Sequence, residues 1–91
     1  MSGKYAKRIE RGIALLDADV PDWRNRVDCE TLDLSDCAEC VLGHVYGDYA
    51  LGLGALRIDN TTAVDAGFEV EYRVNSYTWL GKAWRKVLNC D

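Results

Sequence analysis

No stretch of these 91 residues is apolar for long. None approaches the roughly 18 consecutive apolar residues that a membrane span needs, and the opening MSGKYAKRIERG has no apolar core of the kind a secretory leader carries. Those two absences predict a cytoplasmic protein. Positive charge is also short: 11 lysines and arginines stand against 15 aspartates and glutamates, for a formal net charge of -4. That balance disfavours a nonspecific hold on a nucleic-acid backbone, which needs a positive surface. The sequence shows no internal repeat, linker or low-complexity tract. It also has no recognised catalytic motif, so a noncatalytic protein is expected.

What is present fits one folded unit. A hydrophobic fraction of 48% is that of a globular chain, and this length has room for a single domain, residues 1–91, with one core. A chain so short buries only about 60 to 70% of its unfolded surface, so a metal, a disulfide or a partner would matter to its stability. The expected fold is mainly α: a small single-domain helical bundle of about three to four helices around a central glycine-rich helix, with little or no β. A homodimer is a natural expectation at this size.

The central stretch is Ser35 to Leu56, SDCAECVLGHVYGDYALGLGAL. At about 100° per residue, one face collects Cys37, Cys40, Val41, His44, Asp48 and Leu51, a second Leu42, Tyr46, Tyr49 and Leu53, and a third Gly43, Gly47, Ala50 and Gly54. A helix with no polar face is buried on most sides. Asp36 is a plausible N-cap with Glu39 at N3. Each interior glycine costs on the order of 0.8 to 1 kcal/mol against alanine. The seam of small residues should therefore admit something close, and Trp84 is the candidate ring.

Around it, Lys4 to Asp17 reads as an amphipathic helix with Ala6, Ile9, Ile13 and Leu16 inward. It should end near Asp19, because Pro21 disfavours helix in the residue before it. Trp23 should fold back as an anchor on the core. Val27 to Leu34 reads as an extended connector. Asn60 or Thr61 can cap a short helix over Ala63 to Ala66 that stops at Gly67. The alternating EVEYRV, residues 69–74, is the best strand candidate but has no second strand to pair with, so an ordered extended loop or an edge is expected. A last helix from Ser76 buries Tyr77, Leu80, Trp84, Val87 and Leu88 and turns Lys82, Arg85 and Lys86 outward.

Three sets of residues could carry chemistry or recognition. Cys37, Cys40 and His44 share one helical face, and Cys29 could complete a tetrahedral zinc set, with Asp48 orienting the imidazole. In a reducing compartment Cys29, Cys37, Cys40 and Cys90 are better read as core thiols or metal ligands than as disulfides. The plainer account makes them small buried hydrophobes. A redox C-x-x-C lacks the strand-and-helix context it would need, and Cys40 with His44 lacks a third orienting group for nucleophilic chemistry. The basic stripe Lys4, Lys7, Arg8 and Arg11 would meet an acidic protein surface or phosphate, if it is more than a solvated face. Exposed Tyr5, Tyr72 or Trp79 would be the more telling mark of a partner site.

Taken together, GIALLD (12–17), PDW (21–23), TLDL (31–34), CAECVLGHVYGDY (37–49), AGF (66–68) and LGKAW (80–84) resemble a group of small uncharacterised proteins of actinobacteria and the phages that infect them. The C-x-x-C-V-L-G-x-x-Y-G block is its most specific part. The resemblance implies a small cytoplasmic accessory protein that, in a phage setting, binds a host protein. The leading expectation is therefore a noncatalytic interaction protein without a cofactor. A zinc-binding or redox-responsive module at Cys37, Cys40 and His44 is the alternative.

Overall fold

The computed structural model describes residues 3–71 and 74–90, with side chains described for 5–71 and 77–90. Its elements are α1 (Gly3–Asp19), a 3-10 turn (Trp23–Arg26), α2 (Val41–Tyr46), α3 (Tyr49–Leu56), α4 (Asn60–Asp65) and α5 (Val74–Leu88). The described residues contain no strand, and none of their helices is long and apolar enough to cross a membrane. The Cα radius of gyration, 11.6 Å, is close to the about 12 Å expected of a compact chain of this length.

The two long helices follow their periodicity. On α1, Ile9, Gly12 and Leu16 are buried and Ile13 half-buried. On α5, Leu80, Gly81 and Trp84 are buried, and Tyr77 and Leu88 are half-buried beside them. Trp23 is fully buried, as its anchoring role requires, and its indole N–H donates to the Asp17 carboxylate at 2.8 Å. Trp84 sits between Trp23, edge-on at 6.0 Å, and Phe68, stacked at 5.9 Å. Rings arranged this way gain about 0.5 to 1.5 kcal/mol per pair beyond simple burial. Around this aromatic centre one cluster gathers Ile9, Leu16, Leu32, Leu34, Val41, Leu42, Val45, Ala63, Ala66, Val70 and Leu80, with Tyr49, Leu53 and Leu56 packed against it half-buried.

The expected single central helix is two helices. Gly47 ends α2 at φ 103°, and Asp48 follows in extended conformation, its carboxylate accepting from the Ala50 N–H at 2.8 Å to open α3. A left-handed glycine followed by an Asp N-cap is a stop and a start written side by side. The reversal folds α3 back on α2 and places Gly52 against Leu42 and Tyr46. The rod is consequently not enclosed: α2 is buried, whereas Leu51 on α3 is 62% exposed. The glycine seam meets different neighbours from those expected. Gly43 lies on the Cys37 and Ala38 carbonyls, Gly54 faces open space, and Trp84 instead donates to the Gly67 carbonyl at 2.6 Å.

The start of α2 also differs. Asp36 receives the Ala38 N–H in a local turn, and the N-cap is Cys40, whose sulfur accepts from the Gly43 N–H at 3.3 Å. Asp59, rather than Asn60 or Thr61, caps α4 by accepting from Thr62. Helix α5 begins two residues before Ser76. Of the strand candidate, Glu69 to Glu71 form bends and irregular backbone, Val74 opens α5, and Tyr72 and Arg73 lie outside the described residues.

The expectation of four reduced thiols is corrected at one pair. Cys29 and Cys90 form a disulfide with Cα atoms 5.9 Å apart, within the range such a bond requires. Asn89, in the left-handed region at φ 64°, turns the chain off α5 toward Cys29. The partners are 61 positions apart, so only the folded chain brings them together.

Candidate functional site

The proposed metal ligands are pulled apart by their local bonds. Cys29 is in the disulfide, Cys37 is an exposed thiol and Cys40 a buried one. Burial pushes the Cys40 thiol up from its ordinary 9.0 to about 11, against hydrogen bonds from backbone N–H groups that pull it down. At neutral pH it is a neutral cap that also reaches the Cys37 carbonyl at 3.6 Å, neither a nucleophile nor a ready ligand. His44 Nδ1 accepts from the Asp28 backbone N–H at 3.1 Å, so the neutral ring carries its proton on Nε2, which lies 2.7 Å from the Glu39 carboxylate and 3.3 Å from the Thr31 hydroxyl. The expected partner, Asp48, caps α3 instead. Both ring nitrogens therefore tie the 28–31 loop to the turn before α2. Among the described residues no three His, Cys, Asp or Glu side chains converge as metal ligands would, and the donors present do not fit a tetrahedral zinc site.

The basic stripe is divided as well. Arg8 lies 3.8 Å from the Glu71 carboxylate and is mostly buried, and Arg11 donates to the Asp65 carbonyl at the end of α4. Lys7 is exposed, and the side chain of Lys4 lies outside the described residues. Two of the four cations thus fasten α1 to its neighbours.

The surface that stands out lies between α1 and α5. A groove of about 680 Å³ is lined by Tyr5, Ala6 and Ile9 on one side and Trp79, Ala83 and Val87 on the other, with Lys82 and Lys86 along its edge. Trp79 and Val87 are 57% and 38% exposed. The Lys82 ammonium lies 4.9 Å from the centre of the Trp79 ring, a cation–π contact that holds the indole against the groove's edge. The geometry of α5 produces this. Trp79, Ala83 and Val87 recur every four residues on one flank, while Leu80 and Trp84 face the core. Val87, expected in the buried stripe, belongs to the groove. Of the aromatic partner-site marks, Trp79 is exposed and Tyr5 half-buried; Tyr72 lies outside the described residues.

On the opposite flank of α5 a polar cleft of about 570 Å³ includes Glu30, Asp33, Ser35, Lys82 and Arg85. Two of its charged groups, Arg85 and Asp33, serve the loop itself. Arg85 donates to the Leu32 carbonyl, and Asp33 accepts from the Ser35 hydroxyl and N–H, bonds that hold the Asp33 carboxyl below its usual range.

Comparison with protein-family models, curated proteins and solved structures finds no match to this chain. The groove itself was partly legible in the sequence: Trp79 falls off the arc defined by Tyr77, Leu80 and Trp84, and a tryptophan off the buried arc of its helix signals contact with something else.

Proposed function

We infer that this protein is a noncatalytic accessory protein that acts by binding another protein through the groove between α1 and α5. The observation that carries the reading is Trp79, more than half exposed beside Val87 on an apolar concavity edged by lysines. Tryptophan is the residue type most enriched among the anchors of protein interfaces, and exposing it to water in a small core-poor chain forgoes stability that burial would supply. The internal bonds of His44 and Cys40 favour the same reading, because both groups are engaged in structural roles. The resemblance to proteins of actinobacteria and their phages supplies the setting: a phage-associated protein with a host protein as target. The Cys29–Cys90 bridge lies outside the groove residues.

Affinity capture from an actinobacterial lysate, with wild type and Trp79→Ala side by side, tests this. A stoichiometric host protein retained by the wild type and lost by the variant is the expected result. Capture that is indifferent to Trp79, or substrate turnover by the purified protein, would overturn the reading.

A further inference from the structure

We propose that the occupant of the α1–α5 groove is an acidic amphipathic helix of the partner. This rests on the interaction reading above and adds the chemistry of what is bound. Trp79, Ala83 and Val87 run along α5 at intervals of four residues, so the trough is two turns, or about 12 Å, long. A helix docking there presents apolar side chains at i, i+3 or i+4, and i+7, the usual spacing for a helix laid in a groove. Small residues, Ala6 and Ala83, form part of the lining on the two walls and let a third helix approach the pair closely.

Charge selects the occupant. Among the described residues the lining contains two lysines, Lys82 and Lys86, and no carboxylate, in a chain whose net charge is -4. A local positive edge on an acidic protein favours a helix whose apolar stripe is flanked by glutamate or aspartate, which both steers the encounter and rejects basic helices. A second copy of the chain fits less well, since a twofold interface repeats the same patch and brings the lysines of one copy toward those of the other. An anionic membrane is also disfavoured. Surface-lying segments offer lipid a convex, strongly basic face, whereas this surface is concave and the molecule as a whole is acidic.

The probe is a synthetic peptide of about 16 residues with leucines at i, i+4, i+7 and i+11 and glutamates flanking them. Its counterpart carries lysines instead. Because Trp23 and Trp84 are fully buried, a change in tryptophan emission on titration reports Trp79. The acidic peptide should shift that emission to the blue and bind at least tenfold more tightly than the basic one. Labelled-peptide anisotropy should show at least a tenfold loss for Trp79→Ala, and for Lys82→Glu/Lys86→Glu a reversal of preference toward the basic peptide, with circular dichroism confirming that each variant is folded.

Equal affinity for the two peptides, or binding of neither at millimolar concentration, overturns the proposal. So does a Trp79 shift with phosphatidylglycerol vesicles but not with peptide, or concentration-dependent dimerisation that Trp79→Ala abolishes. A host protein captured in a Trp79-dependent way without any preference for the acidic peptide would sink this inference while leaving the interaction reading intact.

Discussion

Gly12 and Gly54 should respond to alanine with opposite signs. Both lie in helices, where alanine is favoured over glycine by about 0.8 to 1 kcal/mol. At Gly54 a Cβ would meet nothing within 4 Å, so Gly54→Ala should gain up to that amount, somewhat less for a position in the last turn of α3. At Gly12 the added carbon would press on the Ala66 carbonyl oxygen and stand 3.0 Å from the edge of the Phe68 ring. The carbonyl cannot simply turn aside. Ala66, Gly67 and Phe68 all donate their N–H groups back into α4, and the next carbonyl, of Gly67, receives the Trp84 indole. Relief therefore requires α1 to lift away from α4. Overpacking typically costs about 1 to 3 kcal/mol, and contact with a backbone oxygen that is held in place puts this case in the upper part of that range, about 2 to 3 kcal/mol. Set against the helical gain, Gly12→Ala should lose about 1 to 2 kcal/mol and lower the melting temperature by roughly 4 to 16 °C. Urea denaturation of the oxidised protein, comparing midpoints at constant slope, measures both variants. A Gly12→Ala midpoint at or above that of the wild type would refute the packing of α1 on the 66–68 turn.

Other outcomes follow from the same structure. Reducing Cys29–Cys90, or replacing both by serine, should cost up to about 4 kcal/mol by loop-closure entropy for a bridge spanning 61 positions, read as a fall in urea midpoint; an unchanged midpoint would mean the bridge does not form. Iodoacetamide should label Cys37 and spare Cys40 in the native oxidised protein, checked by peptide mass mapping. The Cys40 pKa is raised on folding, so the stabilisation it reflects is complete below pH 9 and lost as pH climbs toward about 11. Cys40→Ser, which keeps a capping oxygen but does not titrate there, should flatten that part of the stability profile. Trp84→Phe should cost about 1 to 3 kcal/mol by leaving the buried Gly67 carbonyl without its donor, whereas Trp79→Phe should stay within about 0.5 kcal/mol; equal effects on the denaturation midpoint would contradict the different burial of the two indoles.

The long helices were legible because their apolar residues keep a 3.6 period over four turns or more, and Trp23 because a tryptophan just past a proline stop has little else to do than pack. The same periodicity misled at the centre. Apolar residues continue through Gly47-Asp48 without a change of pattern, and only the pair's capping chemistry, left-handed glycine then Asp, marks the turn. The remaining corrections are all long-range. Cys29 meets Cys90, Arg11 meets the end of α4, and Arg8 meets Glu71; no local spacing encodes such encounters. His44 is visible in the sequence as a chemical group, but its three partners, the Asp28 N–H, the Thr31 hydroxyl and Glu39, come from turns in which Asp28 and Asp36 accept from the N–H groups two residues on. The groove is half legible: Trp79 is an aromatic whose exposure marks a partner site, whereas the buried stripe through Tyr77, Leu80, Trp84 and Leu88 also takes in Val87, which lines the groove.

The central claim is that recognition occurs at the α1–α5 groove rather than at Leu51 on α3, the large exposed hydrophobic outside that groove among the described residues. Placing a benzophenone amino acid at position 79 in one sample and at position 51 in another, then irradiating each in actinobacterial lysate, compares the two surfaces directly. A discrete heterologous adduct from position 79 and none from position 51 is the predicted outcome. An adduct from position 51 alone would contradict the account.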